Sequence, residues 1–275
     1  MSPFRASAPI TTSWRHFDFA VADGVATLRF NRPDKLNALT FDVYADLRDL
    51  IAELPHRGDT SVLVITGEGR GFSSGGDVEE IIGPLTRMET AELLEFTRMT
   101  GAVVKAMREC PVPIIAAING IAAGAGSVIA LASDLRLMAR SASFAFLFTR
   151  VGLAGADMGS AYLLPRIVGL GRASELLLLG DRLTAERALA IGLATSVVDD
   201  EELPAAATAL ARRLADGPAF AYATTKSLLT RELDMSLGSA IELEAITQSL
   251  LMHGRDFNEF YAAWSAGRTP EWSGR

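Results

Sequence analysis

Ile114-Ile115-Ala116-Ala117-Ile118-Asn119-Gly120 runs directly into Ile121-Ala122-Ala123-Gly124-Ala125-Gly126-Ser127-Val128, and the fold turns on this stretch. A β-branched apolar run meets Asn-Gly, a strong turn signal. Small residues follow, and they become apolar and helix-compatible. The pattern predicts a buried strand that delivers a loop to the start of a buried helix. Small side chains there let a ligand approach the backbone, and free N–H groups at a helix start suit developing negative charge. Taken alone, the segment fits close strand–helix packing equally well.

A second stretch upstream, Gly71-Phe72-Ser73-Ser74-Gly75-Gly76-Asp77, repeats the design. It follows the strand-like Val62-Leu63-Val64-Ile65-Thr66 and again places glycines before a helical segment. Two such loops, each after a strand, could aim one N–H apiece at one carbonyl oxygen. This pairing, with Phe30-Asn31-Arg32-Pro33-Asp34-Lys35-Leu36-Asn37-Ala38-Leu39 before it and Asp256-Phe257 near the end, resembles the crotonase superfamily, also called the enoyl-CoA hydratase/isomerase family.

The resemblance implies an α/β fold, a ββα spiral core with a helical C-terminal trimerisation region. The expected organisation is a loose N-terminus over 1–13, a core carrying the CoA and acyl site over 14–200, and a helical region over 201–275. It also implies an acyl-CoA thioester as substrate, with coenzyme A as part of that substrate and no separate cofactor. The expected assembly is a homotrimer or a dimer of trimers.

Residue by residue, the oxyanion donors fall on the backbone N–H groups of Gly76 and Ala125, which would stabilise a thioester enolate. Arg32, Lys35 and Leu36, with Ser74, Gly75 and Gly124, match where the family cradles its substrate. Phe146 and Phe148 are expected against the acyl group. The Arg268-x-Pro270-x-Trp272 stretch resembles the family tail, whose aromatic and basic residues can reach a neighbouring subunit's CoA site. Hydratases of the family use two glutamates; the corresponding positions here are Val128 and, twenty residues on, Phe148. Neither side chain can activate a water.

One acid stays in the neighbourhood. Asp157 lies nine residues before Arg166, close to the spacing of an active-site aspartate in dienoyl-CoA isomerases and 4-chlorobenzoyl-CoA dehalogenases, although the loop is one residue longer. Asp157 before Met158-Gly159-Ser160-Ala161 also fits a helix cap. Glu79, Glu80 and Glu95 are the alternative acids. The implied activity is hydratase- or isomerase-like chemistry on an acyl-CoA. The alternatives are a CoA-thioester hydrolase, decarboxylase or dehalogenase on the same scaffold, or a non-catalytic acyl-CoA-binding protein.

Composition narrows the field. The 275 residues can bury a sizeable core, and 49% hydrophobic with 21% charged residues is ordinary for a globular α/β chain. A formal charge of −7 argues against nucleic-acid binding, so an anionic ligand needs a local basic patch, with Arg32, Lys35 and Arg70 as candidates. The single cysteine, Cys110, excludes an intrachain disulfide and fits a reducing, cytoplasmic setting. One cysteine and three scattered histidines give no metal-site spacing. No apolar run approaches a membrane span, and the polar first dozen residues lack a secretory core.

Two decoys fall away. Gly71-Phe72-Ser73-Ser74-Gly75 spells Gly-x-Ser-x-Gly, but a loop containing Gly67 and Gly69 intervenes before the serine and the only later histidine is His253. Gly169-Leu170-Gly171 lacks the third glycine of a dinucleotide fingerprint and reads as a helix–helix turn. Along the chain, a hairpin is expected around Ala22-Asp23-Gly24, and a helix after Thr40 with Tyr44, Leu47, Leu50, Ile51 and Leu54 on one face. Gly83-Pro84 is expected to break any continuous helix from Glu79 to Thr100, so that part of this span forms a mobile lid, and Ala102 to Cys110 is expected to be helical.

Overall fold

A computed structural model of the chain describes residue 11 and residues 13–274. The expected loose N-terminus therefore lies almost wholly outside the described residues.

The hairpin forms as β1 (Phe17–Ala22) and β2 (Val25–Phe30), joined by Asp23 and Gly24 at φ +49° and +79°. Two positive φ values give the turn whose twist matches the strands it joins. From there the chain winds in strand–strand–helix turns. β3 (Val62–Gly67), β5 (Ile114–Ile118) and β7 (Leu135–Ala139) each enter a first sheet. β4 (Gly71–Ser73), β6 (Ile121–Ala123) and β8 (Ser143–Ala145) follow them into a second. Short β9 (Leu183–Thr184) joins the second sheet and β10 (Ser196–Val198) the first. The orders are β1-β2-β3-β5-β7-β10 and β4-β6-β8-β9, parallel except at β1–β2 and β8–β9. Parallel strands covered on both faces need continuous apolar sequence, and Ile114 to Ile118 are all buried.

Helix α1 (Phe41–Arg57) buries the predicted face, Tyr44, Leu47, Leu50, Ile51 and Leu54, in the hydrophobic core. Thr40 takes the extended N-cap conformation, but its side chain makes no cap hydrogen bond and its Oγ1 is buried without a partner. Gly83-Pro84 does not break the next segment. A π-helical turn, Val78–Ile82, passes straight into α2 (Gly83–Leu85), where proline occupies a first-turn position that needs no N–H. The following helix is longer than expected: α3 spans Thr90–Glu109. Its start is a capping box, in which the Glu89 side chain accepts at the third helical residue and Glu92 accepts from the Glu89 N–H.

Helix α4 (Ala125–Ala132) is buried throughout, as predicted. Helices α5 (Ser160–Val168), α6 (Leu170–Leu179) and α7 (Ala185–Ala190) follow, the last capped by Thr184, whose hydroxyl accepts from the Arg187 N–H. Helix α8 (Leu203–Ala215) lays Leu203, Ala207 and Ala211 on the sheet. Then α9 (Ala219–Arg231), α10 (Leu237–Met252) and α11 (Arg255–Ala266) complete the chain. A buried lysine docks α9: the Lys226 ammonium donates to the Val112 carbonyl at 2.9 Å and pairs with Asp134 at 2.8 Å. Burial pushes its pKa down, and the Asp134 carboxylate opposes that shift.

Candidate active site

The site begins as a consequence of strand order. β4 and β6 are parallel neighbours in the second sheet, with Ser73 beside Ala122. The segments leaving them, Ser74-Gly75-Gly76 and Gly124-Ala125, therefore emerge at the same end, side by side. They touch so closely that only glycine fits. A β-carbon at Gly75, φ +92°, would stand 2.9 Å from the Ala123 oxygen and 3.3 Å from the Ala125 nitrogen. One at Gly126 would collide with the Ser73 carbonyl.

Each loop presents one N–H away from the protein's own hydrogen bonds. Leu39 bridges to the first loop: its N–H donates to the Gly75 carbonyl at 2.8 Å, and its carbonyl accepts from the Asp77 N–H at 2.9 Å. Alternation along an extended segment then turns the Gly76 N–H to the opposite side. Ala125 is the first residue of α4, where the N–H has no partner one turn back. Neither N–H donates to another group among the described residues.

Two side-chain amides, one buried and one half-buried, hold this geometry. The Asn37 side chain, 1% exposed with φ +57°, donates to the Glu68 and Gly71 carbonyls and accepts from the Arg32 N–H. Asn119 accepts from the Gly67 N–H at 3.1 Å and donates to the Gly69 carbonyl at 2.8 Å. The sequence reading used Asn119 only as a turn signal, and Asn37 only as part of a motif. Their side chains tie three loops together.

The expected cradle residues gather here, with their charges already paired. Leu36, in the left-handed region at φ +49°, accepts from the Ser74 N–H, and the Ser74 hydroxyl donates to the Lys35 carbonyl. Arg32 is not a free cation: it donates to the Ala38 carbonyl and pairs with Glu80 at 2.6 Å and Asp77 at 3.1 Å. Lys35 pairs with Glu79 at 3.0 Å. Burial works to raise the Asp77 pKa, but the Glu80 and Glu79 N–H groups and Arg32 together take it below the usual carboxylate range. Arg70 is exposed. The expectation for Phe146 needs correcting: it has no accessible surface and stacks on Phe144 at 6.1 Å, so it is core rather than an open wall. Phe148 keeps 7% exposure.

Asp157 lies on the segment leading to α5, next to a strained turn with Met158 at φ +49° and Gly159 at φ +87°. It is not a cap of α5, whose N-cap is Gly159. Its Oδ1 accepts from the adjacent Met158 N–H, and its own N–H donates to the Ser160 hydroxyl. Among the described residues it forms no salt bridge; Arg166 pairs instead with Asp234 and stacks on Tyr162. Burial pushes the Asp157 pKa up, against the smaller effect of the Met158 N–H.

One residue was missed. Tyr44 belongs to the predicted apolar face of α1, yet its hydroxyl stands 3.8 Å from where a β-carbon on Gly76 would be, and it feels the Asp157 charge. The available signal was a phenol on an otherwise hydrocarbon stripe. Among the described residues, no group of three or more His, Cys, Asp or Glu side chains could hold a metal, and no helix is long and apolar enough to cross a membrane.

Comparison with known proteins agrees with this fold. A sequence model described as enoyl-CoA hydratase/isomerase matches residues 20–275. The chain belongs to the enoyl-CoA hydratase/isomerase family, within the crotonase superfamily. It is 36% identical over 255 residues to a 1,2-epoxyphenylacetyl-CoA isomerase of Escherichia coli (strain K12), covering 93% of this chain and 97% of that one. It is 35% identical over 265 residues to a probable enoyl-CoA hydratase of Rhodobacter capsulatus, covering 96% and 100%. A solved structure of a candidate enoyl-CoA hydratase from Streptomyces coelicolor A3(2) superposes with a TM-score of 0.97 at 60% identity, covering all of both chains.

Proposed function

We propose that this family member moves a proton at the carbon next to an acyl-CoA thioester, as an isomerase rather than a two-glutamate hydratase. The thioester oxygen accepts hydrogen bonds from the Gly76 and Ala125 N–H groups. Asp157, as carboxylate, takes a proton from C2; the electron pair moves onto the thioester oxygen as an enolate. The same carboxyl then returns the proton to the conjugated carbon, which relocates the double bond. The observation that carries the reading is the abutment of the two loops, each with an N–H unpartnered among the described residues, together with a half-buried carboxyl that forms no salt bridge there and whose charge acts on the Tyr44 hydroxyl beside Gly76. A raised pKa suits proton exchange near neutral pH. Val128 and Phe148, at the positions the family's hydratases give to glutamate, are both buried apolar residues.

Ala125→Pro tests it. Proline suits the first position of a helix, so the variant removes one donor N–H while the helix can still start. Turnover of a 3-enoyl-CoA should fall by about a hundredfold or more with circular dichroism unchanged. Unchanged kcat in a folded variant would remove Ala125 from the mechanism, and a wild-type protein that binds acyl-CoA without turning it over would be a binding protein.

The assembly is proposed to be a trimer or a dimer of trimers. Helix α10 buries no residue in the single chain, and Leu237, Leu250 and Trp264 are 77%, 65% and 71% exposed. Apolar surface of this extent calls for a partner. Light scattering should give three or six copies; a stable monomer at micromolar concentration would contradict it.

A further inference from the structure

Tyr44 is 2% exposed, with its ring edge-on to Phe96 at 5.9 Å. Its hydroxyl makes no hydrogen bond to another group among the described residues, so its donor is open to a ligand. Its surroundings are specific: a β-carbon built on Gly76 would meet the Ile81 side chain at 3.6 Å and the Tyr44 hydroxyl at 3.8 Å. The same hydroxyl feels Asp157, yet no hydrogen bond joins them. The phenol therefore stands beside the residue that carries one oxyanion donor, with its own donor unused among the described residues.

We propose that Tyr44 is a specificity-determining residue whose phenol O–H donates to an acceptor oxygen on C3 of the acyl chain, so that beside 3-enoyl chains the site takes 3-oxygenated acyl-CoA thioesters, whose C2 proton exchanges through the same enolate, in preference to saturated chains that lack the C3 oxygen. This rests on Gly76 and Ala125 holding the thioester oxygen. In a 1,3-dicarbonyl unit the two oxygens can lie on the same side of the chain. With the first at the Gly76 N–H, the second then falls beside Gly76, where the phenol is. The C2 proton that faces Asp157 in such a substrate is acidified by both carbonyls. Burial first, and the Asp157 charge second, push the phenol pKa well above its usual value, so it remains a neutral donor at any working pH.

The test compares acetoacetyl-CoA with butyryl-CoA, which differ in the C3 oxygen, by calorimetry on wild type and Tyr44→Phe. Wild type should favour acetoacetyl-CoA by about tenfold, the value of one well-placed hydrogen bond. The substitution should collapse that ratio to about one and reduce the near-ultraviolet absorbance of the bound enolate. The melting temperature should not fall, because the hydroxyl has no protein partner to lose. A ratio unchanged by the substitution overturns the proposal, and so does equal weakening of both ligands with a lowered melting temperature, which marks a packing role. Wild type that binds butyryl-CoA without preferring acetoacetyl-CoA sinks the Tyr44 assignment alone. Wild type that binds neither sinks the oxyanion reading as well.

Discussion

Where the chain runs from Arg32 to Leu36, charged side chains meet partners: Arg32 has Glu80 and Asp77, and Lys35 has Glu79. At Asp157 and Tyr44, by contrast, a half-buried carboxyl and a buried phenol make no ion pair among the described residues. The first region resembles a scaffold, in which opposite charges fix the loop that carries Gly75 and Gly76. The second is costly for the fold, since a partly desolvated carboxyl without a counter-ion favours its neutral form. Polar groups left in that condition are those whose partner arrives with a ligand.

The largest expected effect that separates the two regions is on turnover. Asp157→Asn keeps the shape and the oxygen that accepts from Met158, but an amide cannot take a proton. kcat should fall by about a hundredfold to ten-thousandfold, the range for a lost general base. Glu79→Gln, in the exposed pair with Lys35, should change kcat by no more than about threefold. Measured side by side on the best substrate found, near-equal effects would erase the distinction between the two regions. A large loss only at Glu79 would invert it and move the working acid to the helical turn after Asp77.

The loop pair was legible because it rests on local patterns: β-branched runs, Asn-Gly, and glycines where two backbones meet; the spiral itself came with the family resemblance. The sequence failed where side-chain roles depend on distant partners. Arg32 and Lys35 were legible as cations next to a candidate site, but their neutralisation depends on Glu79 and Glu80, more than forty positions away in the chain. Phe146 reads as an acyl wall until the second sheet places it on Phe144. Helix α3 began earlier than expected because a glutamate served as its cap, where serine or threonine is the usual signal. Asp157 remained open between cap and acid because one inserted residue shifts which turn it faces; only coordinates place Gly159, rather than Asp157, at the helix start.

The smallest expected effect is on stability, and its sign is opposite to that of an ordinary paired carboxylate. Burial raises the folded pKa of Asp157 above the value in the unfolded chain. Below the ordinary carboxylate pKa of about 3.9, both states hold the proton and the residue is neutral to the balance. As pH rises past that value the unfolded chain releases its proton first, which draws the equilibrium toward unfolding. The wild type therefore loses this contribution progressively until pH passes the folded pKa, and the loss then levels off. An amide in place of the carboxyl cannot ionise, so the melting temperature of Asp157→Asn should match wild type near pH 3.5 and exceed it by about a degree or two at neutral pH. A gap that is constant with pH would show that the carboxyl is unperturbed. A variant less stable than wild type at neutral pH would reveal a cationic or hydrogen-bonding partner for the carboxylate. That result would place Asp157 with the paired charges around Arg32 and remove the basis for assigning it the proton.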